Sequence, residues 1–225
     1  SFFLFGCNLA EWNQGRLNNK FKRKGVEEFT FKNDSSSIHY YMGGSGPVLL
    51  LIHGFGGDAQ VTWEKTILEL SKKYTVIAPD LLWFGQSTSS KSPELQTQIN
   101  AIFNLLDHLN VDKCNVAGVS YGGFVTLGLV QEQPAKFTKV CIVDSPGMTY
   151  NTELLEEVGV KEPADIFVPK SGEEVGRLFK FAFHEKKNYS KGILQDAYEL
   201  YFSKNHEELT TLLSTLPEEQ NEFFK

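Results

Sequence analysis

Gly118-Val119-Ser120-Tyr121-Gly122-Gly123 lies between a short apolar run, Cys114-Asn115-Val116-Ala117, and a helical pattern from Phe124 to Gln131. A Gly-x-Ser-x-Gly sequence at a strand-to-helix turn is the setting of a nucleophile elbow. The turn is too tight for side chains on its flanks, and Gly118 and Gly122 leave room. The serine Oγ is then lifted above the strand ends, at a helix N-terminus. That end carries partial positive charge and free N–H groups, which suit a developing oxyanion. By itself the pentapeptide also fits a glycine-flanked loop serine. The strand before it and the helix after it supply the context that an elbow requires.

Two further motifs stand upstream. Val48-Leu49-Leu50-Leu51-Ile52 is a continuous apolar run, as expected of a strand buried on both faces. It leads into His53-Gly54-Phe55-Gly56-Gly57. Tyr74-Thr75-Val76-Ile77-Ala78 predicts a second buried strand, followed by Pro79-Asp80-Leu81-Leu82-Trp83-Phe84-Gly85-Gln86-Ser87. With these three motifs in order, each at a strand end, the chain resembles the α/β-hydrolase superfamily from about Phe29 to about Pro146. The family often has Pro-Gly where this chain has Leu82-Trp83, which places a large aromatic beside the expected site.

The resemblance implies a three-layer α/β fold with a mainly parallel sheet. Ser120 would be the nucleophile, and the backbone N–H groups of Phe55 and Tyr121 the oxyanion hole. His53 would have a structural role in its loop, as would Asp80, which can accept backbone N–H bonds in its own loop. Asp144, after the sixth strand, stands where some members carry the triad acid; a capping aspartate is the competing reading. In the family, acid and histidine follow the nucleophile on loops after late strands. Two more strand–helix units need about 50 to 70 residues, so both partners are expected beyond Lys225. His39, His53, His108, His184 and His206 offer no convincing general base.

Alternating strands and helices along the chain independently predict a parallel α/β sheet. Val26 to Lys32 and Ile38 to Met42 read as a hairpin. Val61 to Leu70 reads as a helix. A longer helix opens at Ser92-Pro93 and carries Leu95, Ile99, Ile102, Phe103, Leu106 and Leu109 on one face. Lys139 to Val143 reads as another buried strand, and Cys114 and Cys141 as buried, inert thiols.

After Pro146 the pattern is helical. Ser171-Gly172-Glu173-Glu174 is a capping box, helical segments follow around Leu194 to Phe202 and Glu207 to Leu213, and Pro217-Glu218-Glu219 predicts a further start. Residues 148–225 thus resemble the helical lid that α/β-hydrolases insert after the sixth strand, loosely like that of monoacylglycerol lipases. The lid is aromatic. Most of its rings are expected in its own core, with Phe179, Phe183 and, from the loop below, Trp83 as candidates to line an acyl pocket.

The organisation expected is an N-terminal segment (1–25), the hydrolase core (26–147) and the lid (148–225). The formal net charge of −6 among 225 residues argues against a nucleic-acid binder. No metal-ligand spacing or phosphate-binding loop is present, so no metal and no cofactor are expected. Leu4-Phe5-Gly6-Cys7 resembles a bacterial lipobox, which implies an envelope lipoprotein anchored at Cys7. The other reading is an apolar stretch docked on a cytoplasmic protein. Leu9, Trp12, Leu17 and Phe21, with Arg16, Lys20, Lys22, Arg23 and Lys24, form a basic amphipathic pattern suited to an anionic membrane surface or to a solvated helix.

The expected activity is cleavage of a small-molecule carboxylic ester, lipid-like or monoacylglycerol-like, through an acyl-enzyme. The alternatives are carbon–carbon bond hydrolysis on the same scaffold and a non-catalytic ligand-binding protein. A serine at the elbow argues against the branch with an aspartate nucleophile, which includes haloalkane dehalogenases and epoxide hydrolases.

Overall fold

The computed structural model describes residues 9–145, 161–185 and 187–223. The stretch around Cys7 and the first part of the expected lid, residues 148–160, lie outside these residues.

Helix α1 (Leu9–Lys22) leads into the hairpin β1 (Val26–Lys32) and β2 (Ser36–Gly43), which pairs antiparallel. Then come β3 (Val48–Ile52), α2 (Ala59–Leu70), β4 (Thr75–Pro79), the two-residue β5 (Thr88–Ser89) and α3 (Leu95–His108). The elbow joins β6 (Cys114–Val119) to α4 (Tyr121–Glu132), and β7 (Phe137–Val143) follows. The sheet order is β1-β2-β4-β3-β6-β7, with β5 on β2. β3, β4, β6 and β7 run parallel to one another. This is the three-layer, mostly parallel architecture of the α/β-hydrolase fold.

The strands β3 and β4 are apolar but for Thr75 because both their faces are covered. Leu49, Leu51, Val76 and Ala78 face a cluster with Phe21, Ala59, Trp63 and Ile67. Leu50, Ile52, Ile77 and Val116 face the larger cluster, which includes residues of α3, of α4 and of the helices after β7. Leu17 and Phe21 of α1 are also buried. Burying a large apolar side chain contributes about 1.5–3 kcal/mol, whereas an exposed ion pair such as Lys20–Glu64 contributes at most about 1 kcal/mol. Packing therefore holds α1 to the domain. The part of its apolar face that is described meets protein, and Arg16, Lys22, Arg23 and Lys24 remain exposed.

Four expectations change. β7 is not a buried strand: only Phe137 is buried, and Val140, Ile142 and Val143 are 37–44% exposed because β7 is the sheet edge among the described residues. Cys141 on that edge is exposed, while Cys114 is buried as expected. The helix expected from Pro93 opens at Leu95, whose amide is taken by the Glu219 carboxylate (2.9 Å) from the far end of the chain. Pro217 starts no new helix but lies inside one.

The described helices after β7 are α5 (Ala164–Phe167), α6 (Gly172–Ala182), α7 (Lys191–Tyr201) and α8 (His206–Phe223). The capping box forms in part: Ser171 Oγ accepts the Glu174 amide, while the Glu174 carboxylate takes the amide of Lys170.

Candidate active site

Ser120 has φ 52° and ψ −123°, a region that costs a residue with a Cβ about 1–3 kcal/mol. Surrounding bonds hold it there. Its N–H donates to the Val143 carbonyl (2.9 Å), and its carbonyl accepts from the Gly123 amide (2.8 Å) and the Ser145 hydroxyl (3.0 Å). The flanking glycines supply space rather than unusual torsions. A Cβ on Gly118 would collide with the Gly122 carbonyl and Thr126 Oγ1; one on Gly122 would collide with the carbonyls of Ile52 and His53. The elbow is thus wedged against the end of β3.

The loop after β3 closes on the serine. A Cβ on Gly54 would stand 3.1 Å from Ser120 Cβ and 3.7 Å from its Oγ. Phe55 follows in this loop, and its amide meets no acceptor among the described residues. The Tyr121 amide is at the first position of α4, where a helix has no internal acceptor. The rings of Phe55, Phe84 and Tyr121 contact one another edge-on or tilted, with centroids 5.0–6.3 Å apart.

His53 is fully committed to structure. Nε2 accepts the Leu81 amide (2.9 Å), so Nδ1 carries the proton and donates to the Gly54 carbonyl (2.7 Å). Burial holds its pKa below the ordinary 6.5. A neutral imidazole with both nitrogens occupied cannot serve Ser120 as a base.

Asp80 accepts the amides of Ala59 (2.9 Å) and Gln86 (3.0 Å). Its other partner, which sequence reasoning missed, is His39, whose Nδ1 lies 2.9 Å from Asp80 Oδ2 with both residues buried. Burial alone would lower the His39 pKa; the hydrogen bond and charge of Asp80, with Glu28 behind them, outweigh it and hold it above 6.5. This pair does not reach Ser120. His39 is on β2, three strands from β6, about 14 Å at the usual strand spacing. Next to Asp80, Asp58 caps α2 through the Val61 amide (2.8 Å). Burial, then the Asp80 charge, push its carboxyl up, to about 7.

The helices after β7 meet this region at Phe202 and Asn205. Phe183 is 55% exposed, and the described ring contacts of Phe179 are to Phe183 and Tyr189, not to Phe55, Phe84 or Tyr121. Phe202 instead lies fully buried against Gly56, which has φ 76° and no side chain to obstruct the ring. Asn205 Nδ2 donates to the Trp83 carbonyl (2.7 Å). Trp83 is buried with φ 68°. Its Nε1 and the Tyr121 hydroxyl have no hydrogen-bond partner among the described residues.

Asp144 is exposed with φ 43° at the end of β7. Among the described residues, no histidine is hydrogen-bonded to it or to Ser120, and no group of His, Cys, Asp and Glu is arranged to hold a metal.

The sequence pattern described as the alpha/beta hydrolase fold matches residues 47–167. An uncharacterized protein of Mycobacterium tuberculosis is 32% identical over 125 residues, 53% of this chain and 36% of that protein. The 2-hydroxymuconate semialdehyde hydrolase of Pseudomonas sp. is 30% identical over 126 residues, 54% of this chain and 44% of that protein. The chain thus spans less than half the length of these curated relatives. Among solved structures, a candidate lipase from Acinetobacter baumannii has the same fold, with a TM-score of 0.78 at 24% identity over 93% of this chain and 73% of that one.

Proposed function

The chain belongs to the α/β-hydrolase fold family, and on that premise we propose that the protein hydrolyses carboxylic esters through an acyl-enzyme on Ser120. The observation that carries this reading is the left-handed backbone of Ser120, braced by Val143, Gly123 and Ser145 beside Gly54.

A serine hydroxyl is a weak nucleophile until a base takes its proton. In this proposal a histidine outside the described contacts takes the Ser120 proton as Oγ bonds to the substrate carbonyl carbon. The carbonyl electron pair moves onto oxygen, where the amides of Phe55 and Tyr121 receive it. One such donor is worth about 3 kcal/mol in the transition state. The C–O bond to the alcohol then breaks, and the histidine proton goes to the leaving oxygen. Water repeats the sequence on the acyl-enzyme and releases the acid. The aromatic surroundings, Phe55, Phe84, Tyr121 and Phe202, favour a lipid-like acyl group over a highly charged one.

The full gene product should react with a fluorophosphonate, and Ser120→Ala should abolish both labelling and esterase activity. Activity retained by that variant would remove Ser120 from its role.

The likeness to the 2-hydroxymuconate semialdehyde hydrolase supports a second reading, carbon–carbon bond hydrolysis on the same serine. Turnover of a dienoate with no turnover of acyl esters would favour it.

A further inference from the structure

The tip of the lid, where α6 turns into α7, differs in charge and polarity from the rest of the chain. Between Arg177 and Lys191 the sequence has five cations against one acid, Glu185, in a chain of net charge −6. The described basic residues of this stretch line an open groove of about 720 Å³ between α6 and α7, with Tyr189 among them. Beside the groove, three large apolar residues face solvent: Phe183 (55% exposed), Tyr189 (40%) and Ile193 (37%). They are not loose, since Phe179 packs edge-on against Phe183 (5.6 Å) and Tyr189 (5.4 Å). Ion pairing within the tip is slight. Arg177 meets Glu174 at 3.0 Å and Lys187 meets Glu185 at 3.5 Å, with both cations about two-thirds exposed (68% and 66%).

Exposed apolar residues grouped in one patch mark an interaction surface. Aromatic rings interleaved with lysines have the chemistry of a membrane interface: rings enter the headgroup layer, lysine stems follow them, and ammonium groups meet phosphates. An acidic protein surface would satisfy the cations and leave Phe183, Tyr189 and Ile193 in water, whereas an anionic bilayer takes both. We propose that the α6–α7 tip is a docking face for an anionic phospholipid bilayer. The face lies apart from the residues around Ser120, so docking is measured without turnover and stands or falls separately from the ester reading.

The test is flotation of the full chain with vesicles of phosphatidylcholine alone and of phosphatidylcholine with phosphatidylglycerol, at low and high salt. The chain should float with the anionic vesicles, be released by salt and ignore the neutral ones. Each basic residue at such a surface is worth about fivefold, so Lys180→Gln, Lys187→Gln and Lys191→Gln together should weaken binding about 100-fold. Phe183→Ser with Tyr189→Ser should weaken it as well, and circular dichroism would confirm that both variants are folded. Arg16→Gln, Arg23→Gln and Lys24→Gln on and after α1 should bind as the unaltered chain does. Failure to bind anionic vesicles, equal binding to neutral ones, or loss of binding only in the α1 variant would overturn the proposal.

Discussion

The amide of Leu81 and Nε2 of His53, 2.9 Å apart, join the loop after β4 to the loop after β3, so the wall that carries Phe55 moves with the wall that carries Trp83. Replacing His53 by Ala leaves the buried Leu81 amide and Gly54 carbonyl without this partner. At about 1–3 kcal/mol for each unsatisfied group, a loss of about 2–5 kcal/mol is expected in urea unfolding. The pH arm follows from burial, which lowers the His53 pKa. Below about pH 6.5 the unfolded chain takes up a proton that the folded chain refuses, so stability falls as pH drops there. The variant should lose that part of the slope.

Gly54 and Gly122 should fail in different ways when changed to Ala. At Gly122 the new methyl meets backbone carbonyls on the neighbouring strand end, which cannot turn aside. That variant should be destabilised by about 3 kcal/mol or more, as for severe overpacking. At Gly54 the methyl approaches Ser120 Cβ at 3.1 Å, a gap closed by small shifts. This variant should fold and melt within a few degrees of the original, yet react with fluorophosphonate more slowly. Calorimetry beside labelling rates separates the two.

Asp58→Asn tests the buried carboxyl pair. Asn caps a helix as well as Asp does, so the bond from Val61 survives. The folded carboxyl, raised to about 7, holds its proton where the unfolded one, near 3.8, has lost it. Stability from this group is present below pH 3.8 and is lost as pH rises to about 7. The Asn variant should lack that decline and, at pH 8, be more stable by more than about 1 kcal/mol. Both proteins should keep a decline above pH 6.5 from His39, whose raised pKa has the same sign. Thermal melts across pH 4 to 8 would show it, and a variant with an unchanged slope would contradict the assignment.

Phe202 and Asn205 should govern how firmly the C-terminal helices sit on the sheet domain. Phe202→Ala empties a fully buried ring site against Gly56 and should cost about 3–5 kcal/mol. Asn205→Ala removes one bond to the Trp83 carbonyl and should cost about 1 kcal/mol. Limited proteolysis should find residues 161–223 cut faster in the first variant than in the second, with the sheet core intact in both. Phe183→Ala, on the exposed tip, should leave the pattern unchanged.

How legible each part was depended on the range of the interactions behind it. The elbow, the two buried strands and the glycine loops could be read because each rests on neighbours in sequence: a tight turn needs Gly118 and Gly122, and a doubly covered strand needs an unbroken apolar run. The structural use of Asp80 was legible for the same reason, since Gln86 lies in its own loop. β7 was misread because a run such as Lys139 to Val143 looks alike on a covered strand and on a sheet edge.

The C-terminal helices show the other side. The sequence placed most of their rings in a shared apolar core, but not which of them meets the loop after β3, where Phe202 packs against Gly56. The pairing of His39 with Asp80, 41 residues apart, and of Leu95 with Glu219, 124 apart, has no local trace. By itself the sequence determined the family, the sheet and the serine on its bend, because backbone sterics and strand burial act residue by residue. Only the tertiary structure decided which side chains pack on the loops beside that serine, because such contacts depend on where distant segments come to rest and not on the pattern within any one of them.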